Sequence, residues 1–532
     1  MAQLVARSVR DAEAVGSSPI TLTIIMTKFS KKSLIFSLAP LVAGGIFIFL
    51  CCINLTGSIW FDESYSAYLV RGDFADIWHL TAMDVHPPFY YFCLKIWTML
   101  FGTTDFAMRF MSVFFGCVAI VFAFQCIKRW FGEKPAAVSV LLLSLCPIFL
   151  RYGQEMRMYT LIFAIIAAAS FVLTLALDTN KKRYWLIYGV LVSLGMWTQY
   201  LTAIAWLAQL IYVIYRYGGI KKVLHEKYIV ESYILAILLF VPWLPSFFVQ
   251  LVTVQQGFWI PEPTLATIPG FLSETMVYTD ADNTKSWFAI LVAITYILLG
   301  FLIYKIYQKS SAATHKKYNF LLIMSLLPPF ILFLLSLPPL SSVFYDRYLL
   351  YSAGFAWLLA GVVLSASRSG GTSRIGRLPQ ALFAITLVTS GVIGIINVES
   401  REPKGYVKEI FEDVAAVAKD GEAILASNEW IYYDAAFYSS EKHPVFMLGD
   451  ATNYQYGSLE PIRTYKYNVP ANYDDFIKDH KTFWYIYETA SAGEHDPNKD
   501  ISAGIKLPAD NLRILTELKD EHHTALELTV EN

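Results

Sequence analysis

Apolar runs recur along this chain from about residue 33 to residue 397, several of them near the length of about 20 residues that a helix needs to cross the hydrocarbon core of a bilayer. Only a helix satisfies its backbone polar groups inside one such run, so this feature narrows the fold to a bundle of membrane-spanning helices. Composition agrees: 56% of the 532 residues are hydrophobic and 16% are charged, against about 45–50% apolar in a soluble protein. A soluble reading is excluded. The formal net charge of −1 hides an asymmetry, because roughly the last 135 residues carry about twice as many acidic as basic groups. The basic excess of the remainder reports topology rather than nucleic-acid binding. All six cysteines lie in or beside apolar runs of the first third, and no disulfide framework is implied.

Short cytoplasmic loops carry the Lys and Arg excess. Basic clusters at Lys28/Lys31/Lys32, Lys128/Arg129/Lys134, Lys181/Lys182/Arg183, Arg216/Lys221/Lys222/Lys227, Lys305/Lys309/Lys316/Lys317 and Arg368/Arg374/Arg377 are therefore placed inside. Alternation then predicts eleven spans, at 33–55, 106–127, 136–150, 157–177, 184–199, 201–215, 229–249, 287–304, 319–337, 347–366 and 380–397. The leftover apolar stretch His86 to Phe101 is short, opens on two prolines and contains Lys95. It reads as an amphipathic helix on the outer surface, with a short tilted span as the alternative. Residues 398–532 change to a polar pattern with a helical stretch (YVKEIFEDVAAVAK) and β-like runs EAILAS, PVFML, TFWYIY, LRILTEL and ALELTV, the mark of an exported α/β domain. Residues 1–32 form a cytoplasmic N-terminal segment. Within it, 1–25 resemble the translation of a flanking tRNA gene, which makes Met26 the expected start and a disordered tail the alternative.

Ionisable groups in a membrane protein are informative at the ends of spans, and here they gather outside. The first outer loop, 56–105, opens with Trp60-Phe61-Asp62-Glu63-Ser64-Tyr65 and continues to Asp84-Val85-His86-Pro87-Pro88. Adjacent acids cannot point the same way on a helix or strand, so one faces a site while the other braces the loop, unless the pair is only solvated. Arg109, Arg151, Arg157 and Arg347 run against the charge bias of the outer side. Each alone fits interfacial snorkelling. Collected with Asp62 and His86, they describe a cavity for a phosphate, which Arg holds with forked, charge-assisted hydrogen bonds.

The order FDES, DVHPPFYY, a surface helix ending FG, then MRFMSVFFG, with YGQEMRMY at 152–159 and DRYLL at 346–350, resembles the protein O-mannosyltransferase group and its bacterial polyprenyl-phosphate-sugar-dependent relatives. The resemblance covers about residues 55–360. It implies a multi-span α-helical membrane glycosyltransferase of the GT-C type that takes its sugar from a polyprenyl-phosphate donor on the outer side of a bacterial plasma membrane. It further implies Asp62 as general base on the acceptor hydroxyl, with Glu63 as a neighbouring acid. Arg109 matches an arginine that matters in the mannosyltransferases. His86 stands where a bacterial aminoarabinose-transferring relative has a lysine before its proline, facing the lipid phosphate. Arg157 and Arg347 are expected donor-phosphate ligands on charge and position. A single displacement of the lipid phosphate inverts the anomeric centre. Because phosphate is already a good leaving group, one carboxylate and two or three cations suffice without a cofactor.

The chain departs from the mannosyltransferases in lacking a large lumenal insert and in carrying a terminal domain, which leaves protein, wall polymer and glycolipid open as acceptors. That domain either selects the acceptor or caps the cavity. Asp84 and His86 suit a divalent metal, although two ligands are few. The loop 250–285 reads as a lid or as packing for the terminal domain, and Trp243 as an interfacial anchor more than a sugar platform. The competing function from another class is a transporter or lipid flippase, which calls for paired mid-span charges and repeated halves. A membrane-anchored scaffold leaves the spans and outer motifs without a role.

Overall fold

The computed structural model describes residues 35–255, 260–279, 286–366, 377–449, 460–465, 467–470, 472–489, 507 and 511–531. The segments expected at 1–32, and part of the 250–285 loop, lie outside these. Among the described residues, eight helices are long and apolar enough to cross a membrane: Ile35–Asn54, Asp105–Phe131, Tyr159–Thr179, Lys227–Thr253, Trp287–Lys309, Ala312–Leu335, Asp346–Ser365 and Arg377–Glu399. A ninth candidate is the pair Glu133–Leu143 and Pro147–Gly153, bent by 63°. The straight span expected over 136–150 is thus broken, because Pro147 offers no backbone N–H and holds Cys146 extended (φ −68°, ψ 115°). The helices Lys182–Thr198 and Thr202–Tyr217, of 17 and 16 residues, are shorter than an upright span. Length and composition alone therefore do not reach the eleven spans expected. The helix Phe89–Phe101 has 13 residues, too few to cross upright, and leaves Ile96, Met99, Leu100 and Phe101 exposed.

The bundle has an inside and an outside in lipid. Of the apolar windows of Tyr159–Thr179 and Asp346–Ser365, 83% and 89% are buried, against 22–39% for Lys227–Thr253, Ile35–Asn54, Trp287–Lys309, Arg377–Glu399 and Ala312–Leu335. Small residues let the central helices approach closely. A Cβ on Gly361 would lie 2.4 Å from Ser139 Cα, so the helix Leu350–Ser365 meets Glu133–Leu143 backbone to backbone. Trp243, expected as an interfacial anchor, is fully buried and packs edge-on against Trp78, with its indole N–H donated to Tyr200.

Beyond Glu399 the described residues form a five-stranded sheet in the order β2-β1-β3-β5-β4, with β1 Ala423–Ala426, β2 Val445–Phe446, β3 Thr482–Glu488, β4 Leu512–Lys519 and β5 His523–Val530. These strands fall on the five β-like runs of the sequence. β1 pairs in parallel with β2 and β3, while β5 lies antiparallel to β3 and β4. Alternation divides the strands between two cores. Ile424, Ala426, Trp484, Ile486 and Ala525 join the large core that continues into the bundle, and Ala423, Leu425, Phe483, Tyr485, Leu526 and Leu528 form a smaller one with Phe476 on the other face. The sheet is therefore not tethered loosely; one face is packed toward the membrane part.

Candidate active site

Trp60 is extended (φ −120°, ψ 167°) and starts the helix Phe61–Leu69, putting Asp62 and Glu63 in its first turn, where the helix dipole favours negative charge. Successive residues on a helix diverge by about 100°. The two acids therefore enter different surroundings, with side chains 23% and 1% exposed.

Glu63 is enclosed. Its Oε1 accepts from Arg109 Nε and from the Met156 backbone N–H, both at 2.8 Å, and Oε2 accepts from Arg109 Nη2 at 2.5 Å. Arg109 also donates through Nη1 to the carbonyls of Leu55 (3.0 Å) and Gly57 (2.7 Å), and through Nη2 to Ser58 (3.0 Å). A guanidinium has five N–H groups, and all five of Arg109's are directed at protein. Expected from the sequence among the donor-phosphate ligands, Arg109 in this structure fastens the start of the loop after the first span to Glu63.

Asp62 faces a more open space. Arg347 Nη1 donates to its Oδ2 at 3.1 Å, and Arg157 Nε stands 3.8 Å from the same oxygen. Arg157 Nη1 further binds the Asp62 carbonyl (3.1 Å) and Ser66 Oγ (3.0 Å). Arg157 is held in a tight turn of the YGQEMRMY segment, whose Glu155 and Arg157 carbonyls accept from Ser112 Oγ at 2.6 and 3.3 Å. Arg347, in the short turn Asp346–Leu349, lies 4.8 Å from the ring of Tyr345 and 5.4 Å from that of Tyr348.

From Tyr348 an apolar groove of about 330 Å³ runs past Val343, Leu340 and Phe247 to His86. His86 Nδ1 is 3.4 Å from Asp84 Oδ2. Among the described residues no group of three or more His, Cys, Asp or Glu is placed to hold a metal. The expected site residues thus fall into three sets: Asp62 with Arg157 and Arg347, Glu63 with Arg109, and His86 with Asp84 at the groove.

The sequence reasoning missed residues contributed by the terminal domain. The helix Glu429–Tyr438 packs on Phe61–Leu69, with Ser64 Oγ donating to Asp434 Oδ1 and Trp430 against Phe61 at 4.2 Å. The Ile59 N–H donates to Tyr438 Oη (2.9 Å), Arg71 Nη2 to the Ala436 carbonyl (2.7 Å) and Tyr465 Oη to the Leu69 carbonyl (2.9 Å). Burial pushes the Asp434 carboxyl well above its usual range, and the nearby Glu63 and Asp62 add to that, against the Ser64 hydrogen bond. The linker joins in: a Cβ on Gly405 would lie 1.8 Å from the Ile59 carbonyl oxygen, so only glycine lets it pass there. Lys404 reaches over the Trp60 ring at 4.2 Å and toward Glu155 Oε2 at 3.6 Å, while Arg151 Nη1 pairs with that oxygen at 2.7 Å. Burial raises the Glu155 carboxyl, but Lys404, Arg151, Arg347 and Arg157 outweigh it and bring it down to about 2. The signal for these partners was faint. Glu155 sits inside a motif already singled out, whereas nothing in EWIYYDAAFY marks Asp434 as a partner of the first loop.

Helical spans, a loop fixed at their ends and a terminal domain packed on that loop define a multi-span helical membrane protein, whose fold is similar to that of GT-C glycosyltransferases. It resembles the protein O-mannosyltransferase group, and the model of the family described as dolichyl-phosphate-mannose-protein mannosyltransferase matches residues 85–245. No curated protein matches the chain. Among solved structures, it is similar to ArnT from Cupriavidus metallidurans in the apo state, with 13% identity, a TM-score of 0.59 and coverage of 93% of this chain and 97% of that one. The same protein bound to undecaprenyl phosphate gives 13% identity, a TM-score of 0.56 and the same coverage. The apo oligosaccharyltransferase of Archaeoglobus fulgidus is more distant, at 12% identity and a TM-score of 0.46 over 85% of this chain and 69% of that one.

Proposed function

We propose that the protein transfers a sugar from a polyprenyl-phosphate-linked donor to an acceptor hydroxyl on the outer face of the membrane, with inversion and with Asp62 as general base. The observation that carries this reading is the partly exposed Asp62 carboxylate flanked by two guanidiniums, with the aromatic shelf of one of them opening into an apolar groove. That groove suits a prenyl chain, Arg347 and His86 suit the phosphate, and ArnT, whose fold is similar, has been solved with undecaprenyl phosphate bound.

In the resting state Arg347 and Arg157 share Asp62 Oδ2. A donor phosphate competes for the same N–H groups, which draws cationic charge toward the leaving group and frees the carboxylate for the acceptor proton. Displacement places base and departing phosphate on opposite faces of the anomeric carbon, and the charge on the phosphate oxygens grows as the bond breaks. Protein cations therefore do most where the charge develops. No step in this scheme runs through a metal, and the terminal domain acts by holding the helix that carries Asp62. Protein, wall polymer or glycolipid supplies the hydroxyl.

The test is release of free polyprenyl phosphate from a panel of polyprenyl-phosphate sugars, comparing wild type with Asp62→Asn in detergent. Turnover of one donor that the variant loses supports the transferase and names the sugar. Flux of substrate into vesicles without turnover of any donor, crude envelope acceptors included, overturns it in favour of a transporter, and a product with the donor's anomeric configuration overturns inversion.

A further inference from the structure

A second cavity, of about 100 Å³, lies apart from the groove, behind Glu63 and beneath the linker to the terminal domain. Its mouth is at the outer ends of two candidate spans, where Asn54 Nδ2 donates to Glu399 Oε2 at 2.6 Å. The lining charges do not balance. Arg109 and Glu63 neutralise each other. Arg151, Arg401 and Lys404 then face only Glu155 and Glu399. Burial and the repulsion of Arg151 push Arg401 down to about 10, and burial lowers Lys404 as well. Both shifts are those of cations short of a counter-ion.

Hydrogen bonding points the same way. Arg151 is 2% exposed, yet its Nε–H has no partner among the described residues, and neither has the indole N–H of Trp60. On the acceptor side, neither buried oxygen of Glu155 accepts a hydrogen bond among the described residues, although Oε2 is in ion-pair contact with Arg151 at 2.7 Å and Lys404 at 3.6 Å. Two orphaned donors beside excess positive charge call for an oxyanion; a carboxylate that accepts no hydrogen bond calls for a hydroxyl on it.

We propose that this cavity is a binding site for a phosphate monoester or hydrogenphosphate, with Lys404, Arg151 and Trp60 donating to its oxygens and Glu155 accepting its P–OH. An ionised Glu155 makes the selection: sulfate has the charge and size of phosphate but no proton to give, so it meets the carboxylate unfavourably. The position at the outer interface suits a phosphomonoester on a membrane lipid as well as the free anion. The site stands independently of the sugar-transfer reading, because it contains neither Asp62 nor Arg347.

The experiment follows thermal unfolding of the full chain in detergent, at constant ionic strength, in phosphate, sulfate and chloride. Phosphate is expected to raise the wild-type midpoint by on the order of 1–2 °C and sulfate not to. The rise should vanish in Lys404→Gln and return in Lys404→Arg, which keeps the charge and so separates ligand loss from misfolding. It should persist in Arg347→Gln. An equal rise with sulfate, an undiminished rise in Lys404→Gln, or loss in Arg347→Gln overturns the proposal, the last by moving the anion to the groove. Nanodiscs then identify the source: greater stabilisation by phosphatidate than by phosphatidylglycerol supports a lipid phosphomonoester, and stabilisation by inorganic phosphate alone supports the free anion.

Discussion

Two adjacent carboxylates sit in one turn of one helix, and their surroundings could hardly differ more. Glu63 is closed in by a forked arginine and a backbone N–H, with every donor of that arginine turned to protein. Asp62 shares a single oxygen with two arginines and keeps 23% of its side chain exposed. On the proposed function, the difference separates a carboxylate that builds the loop from one left available for chemistry, and substitutions should split along it. The largest effect is expected at Asp62. Asp62→Asn should cost about 10²- to 10⁴-fold in turnover, the usual worth of a general base, while the unfolding midpoint stays near wild type. A variant that keeps full turnover breaks the comparison.

Arg109→Met tests the other side. It leaves Glu63 buried without its partner and removes the ties to three loop carbonyls. Breaking a buried pair in this way costs about 3–5 kcal/mol, so the loss should appear as poor folding and a lowered midpoint rather than as a slow but stable enzyme. A stable Arg109→Met with normal unfolding and reduced donor binding would return Arg109 to the phosphate. A smaller effect is expected of Arg347→Lys, which keeps the charge but loses the planar guanidinium that donates to Asp62 and stacks on Tyr345 and Tyr348. Turnover should fall about ten- to hundredfold, with the midpoint unchanged; an equal fall in stability would make Arg347 part of the scaffold.

The same contrast explains what the sequence made legible. Membrane spans follow from length and hydropathy, since the bilayer fixes both, and the five strands follow from alternating apolar runs because each run has two faces to fill. The break at Pro147 was also open to reading, as proline cannot continue the hydrogen-bond ladder. Asp62 and Glu63 could be named together but not told apart, because that depends on Arg109, 46 residues on, and on the Met156 N–H. Lys404, Gly405 and Asp434 were illegible for a stronger reason. Their importance arises from the terminal domain closing on a loop more than 340 residues earlier, as in the Gly405 approach to Ile59, and one polar or small residue among many gives no periodic sign of such a contact.

The terminal domain supplies the smallest effect and the finest test. Asp434 is a buried acid that accepts from Ser64, and burial, with Glu63 and Asp62 nearby, pushes its carboxyl well above the usual range. Its folded pKa is raised, so the native state binds more protons than the unfolded one above the unfolded value of about 3.9. That contribution to stability is whole below this pH and is lost progressively as pH climbs toward the folded value, at no more than about 1.4 kcal/mol per pH unit. Asp434→Asn keeps an oxygen to accept from Ser64 and cannot ionise. Its unfolding midpoint should therefore vary less than that of wild type between pH 5 and pH 8, with the two proteins converging at the acid end. Since Ser64 lies two residues from Asp62, turnover at high pH should favour the Asn variant if ionised Asp434 disturbs the helix. Parallel pH profiles for the two proteins would mean that the terminal domain grips the loop through its aromatic and backbone contacts alone, and that the acid at its centre carries no charge-dependent load.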